Sequence, residues 1–332
     1  MAPALAPLAV SIGDPAGIGP EIIAGAWERR AANGLPPFLA IGDARSIRAV
    51  WDGPIAVLSD PAEAAAAFDN ALPLIQVDDP GEIVPGEPNL AGARCALDSL
   101  ELAAGITRQG MASALVTGPV SKAQLFAIGF AYPGQTEFVA ERCGVAAANA
   151  VMMLAGPSLR TVPLTVHVPL ADVPRLITCE LIVARARITA RALIRDFGIE
   201  NPRLAIAGLN PHAGENGILG REEIDAIRPA IEVLRAEGLD VIGPLPADTM
   251  FHAPARARYD AALCMYHDQA LIPLKALHFD DGVNVTLGLP IVRTSPDHGT
   301  AFDIAGKGKA APSAMIAAIL MAGACAARRA GG

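Results

Sequence analysis

Aromatic side chains are scarce: two Trp, three Tyr and nine Phe make up 4% of 332 residues. The 52% hydrophobic content is instead rich in alanine, which favours helices packed closely on a sheet. Charge is sparse too, at 18% of residues, and the net charge of −8 comes with no Lys/Arg cluster, which excludes a general nucleic-acid surface. Five cysteines are scattered without a C-x-x-C pair, excluding a disulfide framework and a Cys-ligated zinc and fitting a reduced, cytoplasmic setting. The N-terminus lacks a basic n-region and runs straight into a strand-like stretch, so no signal peptide is expected. The apolar run AMIAAILMAGACAA, residues 314–327, is shorter than the roughly 20 residues a bilayer span needs and is expected to be a buried or interfacial terminal helix. Repeats, low-complexity tracts and long linkers are missing, as are G-x-G-x-x-G, the P-loop motif, G-x-S-x-G and the kinase set.

What is present alternates. LAVSIG, FLAIGD, ALVTGPV, AVMMLAG, TVPLTVHVPL, RLAIAGLNP and AALCMYHDQ are predicted strands buried on both faces. Between them, residues 92–109 and 181–197 carry apolar residues at helical spacing, the second followed by Gly198 as a C-terminal cap. This alternation predicts an α/β chain with a largely parallel, doubly wound sheet, long enough for two domains.

Ligands of open α/β sheets bind beyond the carboxyl ends of the strands. His167, His212 and His267 fall at three such ends, amid Pro, Gly or Asn or beside a carboxylate. Their spacings of 45 and 55 residues rule out a local metal motif, so only the fold can bring them together. Three neutral imidazoles leave positions open on a zinc-like ion, and Glu215, Asp248 and Asp268 are carboxylates for orienting them or moving protons. Read singly, each histidine is more readily an ordinary satisfied or surface residue; only the three together make a shared site an equal reading.

SIGDPAGIGPEI passes from a strand through a glycine-rich loop towards a helix, which serves either an anion or a tight turn. TGPVSK and YPGQTEF place small hydroxyls and amides beside glycine or proline. Lys275, Asn284 and Arg293 recur at nine-residue intervals, either clamping a phosphate or carboxylate or lying on the surface. SPDHGTAFDIAGKGKA puts His298, Gly299, Thr300 and Asp303 in one loop, a nucleotide pocket or a solvated segment.

GDPAGIGPE, TGPVSK, PGQTEF, NPHAGENG, GPLPADT, YHDQALIPLK and TSPDHGTAFDIAG, in that order, resemble the 4-hydroxythreonine-4-phosphate dehydrogenase family over nearly the whole chain. The first and last are also similar to segments of isopropylmalate and isocitrate dehydrogenases. The resemblance implies two α/β/α domains of the isopropylmalate-dehydrogenase type, with the active site in the interdomain cleft. Residues 1–128 plus 275–332 would form the cofactor-binding domain, and 129–274 the substrate, metal and dimerisation domain. It implies a metal-dependent, NAD(P)-linked oxidation of 4-phosphooxy-L-threonine to 2-amino-3-oxo-4-phosphooxybutanoate. That product decarboxylates to 3-amino-2-oxopropyl phosphate in pyridoxal 5'-phosphate biosynthesis.

By motif, the resemblance assigns one divalent ion (zinc, magnesium or cobalt) to His167, His212 and His267, in a homodimer whose subunits share the site. It assigns substrate contacts to Gln135, Thr136, Lys275, Asn284 and Arg293. It assigns NAD or NADP to Gly13, Asp14, His298, Gly299, Thr300 and Asp303. Among the residues themselves, Asp248, Asp268 or a relayed water is the candidate to take the proton. Gln135 stands where the family commonly has histidine; glutamine donates and accepts but cannot become a cation. The rival readings are a relative acting on a cis-dihydrodiol carboxylate or a phosphorylated sugar acid, a non-catalytic metabolite-binding module, and a metallohydrolase, which leaves residues 295–306 unexplained. Neither nucleic acid nor membrane is expected as a partner.

Overall fold

The computed structural model of the protein describes residues 5–78 and 80–331. The chain forms two compact units, one from Met1–Ala147 with Leu289–Gly331 and one from Ala148–Gly288. In the first unit, β1 (Leu8–Ser11), β2 (Phe38–Gly42), β3 (Ile55–Val57), β4 (Leu72–Gln76), β5 (Leu115–Thr117) and β12 (Arg293–Pro296) lie in the order β3-β4-β2-β1-β5-β12. Every pairing among them is parallel. The helix Leu90–Arg108 packs on β1 and β2, and the helix Ser313–Gly331 on β12, β5 and the helix Gly19–Glu28. The chain leaves β1 on one side for β2 and returns on the other as β5, so the β1/β5 boundary is a topological switch point.

The terminal helix is apolar enough by length and composition to cross a membrane, yet Met315, Ala318, Ile319, Ala322 and Cys325 are buried within its own unit. Thr294 Oγ1 donates to the Ala318 carbonyl at 2.9 Å, tying this helix to β12.

The second unit holds β6 (Val151–Gly156), β7 (Leu159–Pro163), β8 (Arg203–Ala207), β9 (Asp240–Leu245), β10 (Ala261–Cys264) and β11 (Val283–Leu287), ordered β11-β6-β7-β10-β8-β9. Here β7, β10, β8 and β9 are parallel, whereas β6 is antiparallel to both β7 and β11. Alternation divides the strand residues between faces. Ala205, Ala207, Ala262 and Cys264 join Leu271 and Leu274 of the helix His267–Leu277 in one core cluster. The helix Cys179–Phe197 runs up to Gly198, which caps it at φ 68° as the sequence predicts.

The unit borders differ from those the resemblance implied. Residues 129–147 belong with the first unit because the helix Gln135–Arg142 packs on the helix Leu90–Arg108, where Arg142 Nε meets Glu101 Oε1 at 2.7 Å. Residues 275–288 belong with the second because β11 pairs with β6 from Val283↔Ala155 to Leu287↔Val151. Lys275 and Asn284 therefore lie in the histidine-bearing unit, and Arg293 in the other. Five strands, β3, β4, β9, β11 and β12, are absent from the predicted runs. Pro73, Pro244, Asn284 and Arg293 interrupt the apolar pattern of the last four, and β3 is only 3 residues long.

Candidate active site

The second unit carries the histidines on one edge of its sheet. Adjacent parallel strands β7, β10 and β8 end at Pro163, Cys264 and Ala207. His167, His267 and His212 each follow within a few residues of those ends. Parallel strands place all their carboxyl ends on the same side, so residues far apart in the chain become neighbours there.

His167 and His267 have ring centroids 5.8 Å apart, tilted by 39°. Both line a cavity of about 250 Å³ together with Thr165, Val168, Tyr266 and Asp268. Asp268 Oδ1 stands 2.7 Å from His267 Nδ1. That partner assigns the proton to Nδ1 and leaves Nε2 as the nitrogen that carries the lone pair. Two imidazoles sharing one ion at about 2.1 Å put their centroids roughly 5.2 Å apart at a tetrahedral angle and up to roughly 6.4 Å at wider ones. The observed separation lies within that interval, so this pair fits a divalent cation. His212 is exposed and does not line the cavity. Among the described residues of one chain, no three His, Cys, Asp or Glu side chains are grouped to hold a metal.

The backbone around two of these histidines is left-handed. His167 has φ 53°, and from His212 to Asn216 every residue has φ between 44° and 80°. Non-glycine residues rarely occupy this region, and such strain collects at functional sites. Glu223, 1% exposed, holds the second loop in place. Its Oε1 accepts the Leu209 and Asn210 backbone N–H groups at 2.8 Å each, and its Oε2 accepts Asn210 Nδ2 at 2.9 Å. Gly214 is required above it, because a Cβ there would sit 2.5 Å from Glu223 Oε2. Asp248 is exposed on the short helix Ala247–Met250, which packs against the His212 loop.

In the first unit, TGPVSK, PGQTEF and the start of β12 meet beyond β5. Arg293, 3% exposed, donates from Nη2 to Thr117 Oγ1 at 2.7 Å and from Nη1 to Thr136 Oγ1 at 3.3 Å. Burial lowers its pKa to about 10, against the opposing pull of the Glu137 carboxylate. Gln135 Nε2 donates to the Gly118 carbonyl at 3.1 Å, and Gln135 Oε1 is buried with no hydrogen-bond partner. In the second unit, Lys275 is half-buried on the helix His267–Leu277, and Asn284 sits on β11 with its Oδ1 buried and likewise unpartnered.

The glycine-rich loop after β1 is buried, and chain packing accounts for its glycines. A Cβ at Gly13 would lie 2.3 Å from the Pro119 oxygen, and one at Gly19 1.9 Å from the Ile12 oxygen. The Ile18 N–H donates to the Thr300 carbonyl at 3.0 Å, so this loop and the 295–306 segment adjoin. Asp14, 1% exposed, accepts from the Ala16 N–H at 3.1 Å, and burial raises its pKa to about 6. His298, Gly299 and Asp303 are exposed, Thr300 is half-buried, and the Asp303 carbonyl accepts from Lys307 Nζ.

Thr165, Gln269 and Glu223 escape the sequence reading. Gln269 stands in the YHDQ motif, but its partner is 61 residues away; Glu223 reads as one of several acids in REEID.

A family model described as pyridoxal phosphate biosynthetic protein PdxA matches residues 36–322. A Zymomonas mobilis protein named 4-hydroxythreonine-4-phosphate dehydrogenase is 60% identical over 316 residues, covering 95% of this chain and 94% of its own. One of the same name from Erythrobacter litoralis is 60% identical over 329 residues, covering 98% of each. The crystal structure of 4-hydroxythreonine-4-phosphate dehydrogenase from Klebsiella pneumoniae matches with a TM-score of 0.86 at 37% identity, over 97% of this chain and 98% of that one.

Proposed function

The chain belongs to the PdxA family of pyridoxal phosphate biosynthetic proteins, and we propose that it is a 4-hydroxythreonine-4-phosphate dehydrogenase. It oxidises 4-phosphooxy-L-threonine at C3 to 2-amino-3-oxo-4-phosphooxybutanoate, which loses CO2 to give 3-amino-2-oxopropyl phosphate. The observation that carries the reading is the gathering of His167, His212 and His267 at the carboxyl ends of three adjacent parallel strands.

His167 and His267 would hold the divalent ion, with Asp268 fixing the His267 ring. Such an ion would supply Lewis-acid stabilisation of the substrate C3 oxygen, and a nicotinamide dinucleotide would supply the hydride acceptor. Asp248, the exposed carboxylate beside the His212 loop, takes the hydroxyl proton. Arg293, buried beside the Thr117 and Thr136 hydroxyls, would bind the phosphate, with Thr136 as a further polar contact; in the second unit Lys275 and Asn284 offer polar contacts of their own. Gln135 adds an uncharged contact where the family commonly has an imidazole. The 298–303 loop, which adjoins the buried glycine-rich loop after β1, would hold the dinucleotide.

The working unit is a homodimer in which a second copy completes the metal site. Supporting this, Val168, Leu170, Ile218 and Leu219 are exposed on the segments that carry His167 and His212, Ile218 at 84%. The five free thiols fit a reducing, cytoplasmic location.

The test is NADH formation when dialysed protein meets 4-phosphooxy-L-threonine and NAD, with and without zinc or magnesium. Metal-dependent NADH with CO2 release is expected. Turnover of an unphosphorylated cis-dihydrodiol carboxylate and none of the phosphorylated substrate would overturn the substrate assignment.

A further inference from the structure

Beyond the three histidines, two buried side chains fasten the peptide that precedes His267. Thr165 is 6% exposed and Gln269 8% exposed. Thr165 Oγ1 donates to the Met265 carbonyl at 2.8 Å. Gln269 Oε1 accepts the Met265 N–H at 2.6 Å, and its Nε2 donates to the Gly208 carbonyl at 2.8 Å. Both polar groups of Met265 are thus taken by side chains from elsewhere. Thr165 lies two residues before His167, and Gly208 four residues before His212. The polarity is unambiguous: a carbonyl only accepts and a backbone N–H only donates, so the Gln269 amide has one orientation that serves both partners.

We propose that Thr165 and Gln269 are positioning residues for the metal site, a buried clamp that sets the His267 turn relative to the His167 and His212 loops. The inference rests on the metal reading given above. A hairpin or a continuous strand would fix the spacing of two ligands covalently. Here the three imidazoles hang on separate loops, two of them with left-handed backbone. Nothing in strand pairing alone holds such loops to the sub-ångström tolerance that a metal site needs. All three hydrogen bonds are out of water, where an unmet partner costs about 1–3 kcal/mol, so the clamp opposes drift of the turn.

Two variants separate its arms. Thr165→Val keeps the side-chain shape and removes the donor to the Met265 carbonyl. Gln269→Glu keeps an acceptor for the Met265 N–H but sets a carboxylate oxygen against the Gly208 carbonyl. Zinc affinity by calorimetry, the ligand-field spectrum of the cobalt-loaded protein and the melting temperature of the metal-free protein are measured for each. Loss of about tenfold or more in affinity, with an altered cobalt spectrum, is expected for both, as outer partners of metal ligands typically give 10–100-fold. Thr165→Ser should restore affinity and spectrum. His267→Ala is the control. If it loses the metal while both clamp variants bind within twofold of wild type, the clamp proposal falls, whatever their melting temperatures. If His267→Ala itself binds normally, the metal reading falls and takes the clamp with it.

Discussion

Removing the Glu223 carboxylate should release the loop that presents His212. Four non-glycine residues there, His212, Ala213, Glu215 and Asn216, have left-handed backbone. At about 1–2 kcal/mol each, the loop carries roughly 4–8 kcal/mol of conformational strain. Against it stand three hydrogen bonds to a buried carboxylate, from the Leu209 N–H, the Asn210 N–H and Asn210 Nδ2. Bonds to charged groups contribute about 1.5–3 kcal/mol each, roughly 5–9 kcal/mol together, which is the same size as the strain. Glu223→Ala removes all three and should let residues 208–216 leave the left-handed run without unfolding the strands. Glu223→Gln keeps an oxygen for both backbone donors but turns an amide NH2 towards Asn210 Nδ2, costing about one such bond.

Amide hydrogen exchange at Leu209 and Asn210 reads this directly. With each 1.4 kcal/mol worth a factor of ten, exchange should accelerate by about a thousandfold or more in Glu223→Ala and by about ten- to a hundredfold in Glu223→Gln. Zinc affinity should fall in the same order. Exchange within threefold of wild type in Glu223→Ala would refute the strain argument, because the loop would then be holding itself.

Asp14 makes stability depend on pH. Its folded pKa of about 6 exceeds the ordinary 3.8 by about two units, worth roughly 3 kcal/mol at about 1.4 per unit. A carboxyl whose pKa is raised on folding favours the folded state only while protonated. Stability should therefore decline as pH rises from about 4 to 6, and Asp14→Asn should flatten that slope in urea titrations; an unchanged slope would remove Asp14 as its source. Arg293→Lys keeps the charge but loses the fork that serves Thr117 and Thr136, so KM for the phosphorylated substrate should rise at least tenfold in steady-state assays while kcat falls less. Gly19→Ala should yield little folded protein by circular dichroism, since its Cβ would lie 1.9 Å from the Ile12 oxygen. A normally folded variant would contradict that packing.

Much of the architecture is legible in the chain because it is local. Short apolar runs buried on both faces, the αL glycine at 198 and the strand–helix alternation each depend on residues within one element or its neighbour. The strands that stayed hidden, such as β11 with Asn284 and β12 with Arg293, hold polar residues whose burial makes sense only among distant partners. The three histidines are visible as residues at strand ends, and their grouping on one edge follows only from the order β7-β10-β8.

Local residue patterns are enough to specify the α/β class, the alternating elements and the motif order that marks the family. The unit borders follow from long-range packing, because an antiparallel β6–β11 pairing and a helix packed on a helix outweigh any local signal at residues 129–147 and 275–288. Such packing also assigned the glycines of GDPAGIGP to close backbone contacts and set Thr165, Gln269 and Glu223 around the histidine loops. Each of these is a hydrogen bond or contact between residues well separated in the chain, and pairings of that kind exist only once the sheet has formed.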